Sequence, residues 1–232
     1  MITFPRAMPS VGALGQSFEP ERVDYLSPEA GGRVGGVTAG QPLWRMTVSL
    51  QNMRSEEADV WRAWVPAQRG GQRLFYGRDL DRPYPKAYRA GFTGMTRAGG
   101  GAFAGAATAW SEALDAENNS AITLQGLPAN LALGLGDYIG FRWDQAGLAA
   151  GNMKRRAIVR VVDPAIADGA GTIAVICEPA VPLVVPAGAV AHLDNPVCLM
   201  RLVTGETQLG EVGLSEITAA GGRIAAIQDL RA

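Results

Sequence analysis

Apolar and polar residues alternate most regularly between Leu43 and Gln51. Trp44, Met46, Val48 and Leu50 fall on one side of an extended chain, and Arg45, Thr47, Ser49 and Gln51 on the other. A period of two held this long predicts a half-buried strand. The period then changes. Ser55 is a natural N-cap, with Glu56, Glu57 and Asp59 in the first turn after it. Ala58, Trp61, Trp64 or Val65, and Gln68 recur every three to four residues. This predicts a helix over Ser55–Val65, stopped by Pro66, with Trp61 and Trp64 on one face. Gly70-Gly71 closes the segment and Gln72–Tyr76 reads as the next strand. Trp44, Trp61 and Trp64 are the candidate anchors of this helix to a sheet.

Elsewhere the pattern is one of short apolar runs cut by turns. Strands are predicted at Ala90–Thr96, Trp110–Leu114, Ala121–Leu124, Asp137–Trp143, Lys154–Val162, Thr172–Glu178 and Val190–Leu193. Further strands are predicted at Val197–Val203, Gly210–Ile217 and Ile224–Leu230. The even spacing from Trp110 to Leu193 predicts a small barrel or sandwich. The first forty residues look irregular, apart from a strand within Phe18–Leu26. Gly31–Gly40 has five glycines in ten positions and reads as a mobile loop or a long hairpin tip. Gly99-Gly100-Gly101 reads as a second flexible break. The fold class is therefore mainly β with one short helix.

Composition sharpens this only by exclusion. The 232 residues carry 21 Lys and Arg against 22 Asp and Glu, a net charge of −1, which removes a strongly basic nucleic-acid binder. Glycine, at 30, and proline, at 14, favour turns between strands over a helical bundle. No run of eighteen apolar residues predicts a membrane-crossing helix, and the opening MITFPRAMPSVG lacks the apolar core of a signal peptide. Cys177 and Cys198 lie inside predicted strands, so two buried thiols in a reducing compartment are expected rather than a bridge.

Candidate chemistry is sparse. His192 is the only histidine, which removes the usual zinc sites. It is expected at the surface; paired with Cys177 or Cys198 it leaves one formal hydrolase arrangement. Asp79 and Asp81 make a carboxylate pair, with Arg78 and Arg82 beside them as local ion partners. Lys154-Arg155-Arg156 reads as a charged edge strand, with Arg155 on the face opposite to the other two. Trp110 and Trp143 are candidate stacking residues for a sugar ligand, with packing as the alternative. No catalytic, metal or cofactor residue is assigned, and no cofactor is expected.

The order of these features resembles that of a known family. LWRMTVSLQN leads into EEADVWRAWVPAQRGGQ, then RLFYGRD and an Asp81–Pro83 turn; later come Leu127–Phe141, RRAIVRVV and Asn195–Leu202. This resembles the distal tail protein of long-tailed bacteriophages and related gene-transfer particles, over about Leu43–Leu202. The resemblance implies a tube-protein-like β-sandwich with one flanking helix, and a small OB-like β-barrel inserted in it. The domains would be 1–97 with 196–232, and 98–195. It implies a homohexameric ring at the tail tip that joins the tail tube protein to the hub, with the tape-measure protein nearby. DNA would be only passing cargo, and no membrane insertion is implied. The location would be the virion tail, assembled in the host cytoplasm. It implies no catalytic residue. A carbohydrate-binding module using Trp110 and Trp143, a Cys–His hydrolase, and another tail component such as the tube protein remain as alternatives.

Overall fold

A computed structural model of the chain describes residues 4–28, 31–146, 152–211, 218–219 and 221–230. In chain order the first elements are β1 (Arg6–Ala7), β2 (Ala13–Glu21), β3 (Asp24–Pro28), β4 (Val34–Thr38), β5 (Leu43–Leu50) and β6 (Met53–Arg54). The helix α1 (Ser55–Ala67) and β7 (Phe75–Gly77) follow, then a single 3₁₀ turn at Lys86–Tyr88. Next are β8 (Ala109–Leu114), β9 (Ser120–Gln125), β10 (Ala132–Leu133), β11 (Tyr138–Ala146) and β12 (Asn152–Val161). The last are β13 (Ala165–Ile166), β14 (Ile173–Glu178), β15 (Val190–His192), β16 (Cys198–Leu202), β17 (Thr218–Ala219) and β18 (Arg223–Gln228). The protein is mainly β, as the patterning predicts.

The chain divides into two compact units. One comprises Met1–Phe75 with Met200–Asp229, the other Tyr76–Leu199 with Leu230–Ala232. The first break thus falls at 75/76, where the composition shift suggests 97/98. The shift marks a change in side-chain size, whereas the break marks where tertiary packing changes partner.

In the first unit, six strands form a sheet in the order β1, β7, β16, β18, β5, β2. On β5, Trp44, Met46, Val48 and Leu50 are buried, while Arg45, Thr47 and Ser49 alternate with them. β18 supplies Ile224, Ala225 and Ala226, all fully buried. Arg54, not Ser55, occupies the N-cap position of α1, and its backbone N–H donates to Glu57 Oε2 at 3.1 Å. Ser55 already has helical geometry, so the acidic residue three positions after the cap does the capping. The helix runs through Pro66 to Ala67, because a proline in the last turn costs few further backbone bonds. The strand expected at Gln72–Tyr76 is the shorter β7. Before it, Arg69, Gly70 and Gly71 take φ of +50°, +62° and +85°. A Cβ on Gly71 would lie 2.6 Å from Leu202 O, so only glycine passes here.

The described residues among the first forty are not irregular. β2 pairs with β5 along Ala13–Glu21, Phe18 opposite Met46, with a register shift between Ala13 and Gly15. The strand expected across Phe18–Leu26 is in fact split between β2 and β3. Gly31–Gly40 lies at the turn and return of a two-stranded ribbon, β3 pairing with β4 from Asp24↔Thr38 to Pro28↔Val34. Glycine-rich composition hid β4 because Gly35 and Gly36 interrupt its strand-forming residues Val34, Val37 and Thr38.

The second unit is built on a six-stranded sheet in the order β15, β11, β12, β14, β9, β8. Its core includes Ile122, Leu124, Ile139, Phe141, Val159 and Val175. The strand predicted at Ala90–Thr96 is instead a series of turns, with Met95 N–H donating to Phe92 O. Gly99–Gly101 is a defined turn, not a flexible break: Arg97 N–H donates to Gly101 O and Gly100 N–H to Arg97 O, both at 2.9 Å. The expected barrel is not closed by a strand ladder. Among the described residues the hydrogen bonds that reach β15 from this side come from the segment ahead of β8, Ala107 N–H to Ala191 O at 2.9 Å and Leu193 N–H to Gly105 O at 2.8 Å. β15 lasts three residues before the Asp194-Asn195-Pro196 turn ends it, too short to make a seam. The strand expected at Gly210–Ile217 lies largely outside the described residues.

Candidate functional site

The tryptophans sort into two groups. Trp44, Trp61 and Trp64 are buried. Trp61 and Trp64 meet edge to face at 5.8 Å, and Trp64 meets Phe75 of β7 edge to face at 4.8 Å. Trp44 stacks on Phe18 of the neighbouring strand at 4.8 Å. The indole N–H of Trp61 donates to Val11 O at 2.8 Å and that of Trp64 to Ala7 O at 3.1 Å. The helix is thereby tied to the chain around β1 as well as to β7. Those two carbonyl partners could not be read from the residues, because backbone acceptors have no residue signature.

Trp110 and Trp143 are half-buried and pack against the core of the second unit. The Trp110 ring lies 4.7 Å from Phe141, and its N–H donates to Ala189 O at 2.7 Å. This geometry uses the ring for packing and the polar atom for backbone. Aromatic side chains do line an open groove of about 560 Å³ in the same unit, but they are Tyr84, Phe92 and Phe103, with Asp194 also in the lining. Phe92 and Phe103 are themselves buried, so most of their ring surface is spent on packing.

His192 is buried, contrary to its expected surface position. It sits opposite Gly140 in the β11–β15 register, and the missing side chain there makes room for the ring. Its Nδ1 is 2.9 Å from Asp194 O. A carbonyl can only accept, so Nδ1 carries the proton and the tautomer is fixed. Cys177 and Cys198 are both free and buried. Burial pushes both thiols well above their ordinary range, with Glu112 adding to the shift at Cys177. No hydrogen bond joins either thiol to His192 among the described residues, and a thiol held protonated is a poor nucleophile.

Both carboxylate oxygens of Asp79 accept hydrogen bonds from groups other than the Asp81 side chain. Asp79 Oδ1 accepts from the Asp81 backbone N–H at 2.9 Å, and Asp79 Oδ2 accepts from Tyr138 Oη at 3.0 Å. Arg160 Nη2 donates to that same tyrosine oxygen at 3.2 Å. Burial raises the Tyr138 hydroxyl far above its usual range, so it remains a donor to Asp79. Arg78 donates to the Asn195 side-chain oxygen, and Arg82 to Leu135 O at 3.1 Å. These contacts pin a proline-rich loop.

Lys154-Arg155-Arg156 lies on β12, which has β11 on one side and β14 on the other, so it is not an edge strand. β14, however, pairs with β12 only at Arg160 and Val161, which leaves the 154–156 segment beyond its end. Lys154 is exposed and Arg155 buried, as alternation requires. Arg156 donates to Trp143 O at 3.2 Å and lies 5.8 Å from the Tyr76 ring centre. Among the described residues no group of His, Cys, Asp and Glu has the arrangement of a metal site. No helix among them is long and apolar enough to cross a membrane. No family model and no curated protein sequence matches the chain.

Proposed function

We propose that this chain is a structural component of a phage-like tail. It assembles as a ring of identical copies, six by the family resemblance, at the distal end of the tail. There it joins the tube to the hub or baseplate around the path of the DNA. Its neighbours are further copies of itself, the tube and hub proteins and the tape-measure protein, and its place is the virion tail after assembly in the host cytoplasm.

The observation that carries this reading is the interrupted architecture. β5 and β7, with the tryptophan-bearing helix between them in the chain, belong to a sheet completed only by β16 and β18, and most of a separate β unit intervenes in sequence. That is the organisation the resemblance implies, a helix-flanked tube-like unit with a second β unit inserted in it. The tied-down carboxylates and the protonated thiols support a role in which binding, not bond-making, is the work. Trp110 and Trp143, spent on packing, weigh against the glycan-module alternative.

The test is mass and shape. Six copies of a 24.3 kDa chain weigh about 146 kDa. Light scattering on a sizing column is expected to find a discrete species of that order, ring-shaped in negative stain. A chain that forms no ring, alone or at the end of tail tubes, overturns the reading.

A further inference from the structure

The groove of the second unit brings a carboxylate to a half-buried aromatic ring. Asn195 N–H donates to Pro83 O at 2.6 Å, so the turn after β15 and the proline-rich loop are bonded to each other here. Their sequence neighbours, Asp194 and Tyr84, both line the groove. Tyr84 meets Phe92 edge to face at 5.7 Å, and Phe92 meets Phe103 at 4.9 Å, so three rings pack in series. Met95, also in the lining, is tied to Phe103 by the bond from Phe103 N–H to Met95 O at 2.9 Å. Asp194 is the one charged residue of the lining. Its side chain is only 32% exposed, and its Oδ1 is buried without a hydrogen-bond partner among the described residues. No Lys or Arg among them forms an ion pair with it. His192 Nδ1 lies 3.4 Å from that oxygen, but its proton is given to Asp194 O. A partly buried carboxylate left without a cation is costly unless something supplies one.

We propose that the groove binds a small organic cation, a single ammonium group on an apolar stem. The ammonium donates to the Asp194 carboxylate in a charge-assisted hydrogen bond. The Tyr84 ring beside it attracts the same charge through its quadrupole. The stem lies along Phe92, Phe103 and Met95. A volume of about 560 Å³ is that of a small-molecule site, for which roughly 300–1,000 Å³ is usual. Charge complementarity selects the class. An anion would meet the unpaired carboxylate. A neutral sugar needs donors and acceptors around its ring, and besides Asp194 the lining side chains offer it only the hydroxyls of Thr93, Thr96 and Tyr84. Arg97 lies 5.3 Å from the Phe103 ring centre and donates to Gly126 O and Ala106 O. Its charge is therefore held at Phe103, which leaves Asp194 and Tyr84 as the seat of the ammonium. The site lies within one unit of a single chain and does not rest on the ring reading.

The test uses the full chain, with benzylammonium as the probe, benzyl alcohol as its neutral counterpart and glucose as the sugar. Calorimetry is expected to find benzylammonium bound in the millimolar range, and benzyl alcohol at least about tenfold more weakly. Asp194→Asn is expected to remove at least about tenfold of the benzylammonium affinity. Because Asp194 also sits against His192, a second pair of variants separates charge from structure. Ala104 is exposed and lines the groove. Ala104→Glu is expected to tighten benzylammonium binding and Ala104→Lys to weaken it, with both variants melting as the wild type does. The place of binding is read from His192, the only histidine and so a single imidazole signal by NMR. With its Nδ1 3.4 Å from Asp194 Oδ1, that signal is expected to move with benzylammonium and not with glucose. No benzylammonium binding in the millimolar range, equal affinity for benzyl alcohol, tighter binding of glucose, or Ala104 variants of equal affinity each overturn the cation site. None of these results touches the ring reading.

Discussion

At the scale of single residues, the informative side chains are those whose chemistry is suppressed. Both cysteine thiols are pushed up from an ordinary value of 9.0 by burial, so the folded chain holds two protons that the unfolded chain releases. The folded state then binds more protons than the unfolded one, and stability falls as pH rises. The loss begins near pH 9 and steepens by up to about 1.4 kcal/mol per pH unit for each thiol. Tyr138, raised in the same sense, adds to it above pH 10. Urea unfolding between pH 8 and 10.5 is expected to show this decline, and Cys177→Ala with Cys198→Ala to flatten it below pH 10. A decline unchanged by the double substitution would place its origin elsewhere. The burial of both thiols was legible from their position in apolar strands. The burial of His192 was not, since its space comes from Gly140, a residue distant in sequence and close only through register.

At the scale of elements, that same glycine sets the fit of β15 against β11. A Cβ at position 140 would lie 2.7 Å from the His192 ring and 3.2 Å from the Pro196 Cα, and neither a ring nor a backbone atom yields easily. Gly140→Ala is expected to cost roughly 1–3 kcal/mol. In a His192→Ala background most of that cost should vanish, and a double-mutant cycle by denaturant unfolding measures the coupling. Independent, additive effects would show that the ring is not what the new methyl meets. β5 and α1 were legible because one buried face imposes a period on the residues. β4 and the turns at 90–101 were not, because glycine carries no period and a turn is defined by backbone bonds. The anchoring role of Trp61 and Trp64 could be read from spacing. Their partners near β1 could not.

At the scale of the whole molecule, β7 and β16 are neighbours in one sheet, and residues 78–197, nearly all of the second unit, lie between them in the chain. Neighbouring strands lie about 4.8 Å apart, so this long excursion leaves and returns almost at one point. Residues 76–199 expressed alone are expected to fold, with β circular dichroism and one cooperative thermal transition. A polypeptide without such a transition would show that the core around Phe141 needs the rest of the chain. The sheet order also has a consequence in time. β5 pairs with β18, Val48 opposite Ile224, and the Trp44 N–H finds its acceptor on Gln228. At the rate of ribosomal synthesis, roughly 10–35 s pass between the emergence of Leu50 and that of Arg223. Through that interval Trp44, Met46 and Val48 wait on a nascent sheet without their closing strand. The intervening unit can meanwhile complete itself. The residues of β18, made long after β5, are thus the ones that relieve it, and a chain released before Arg223 would leave that strand to the chaperones.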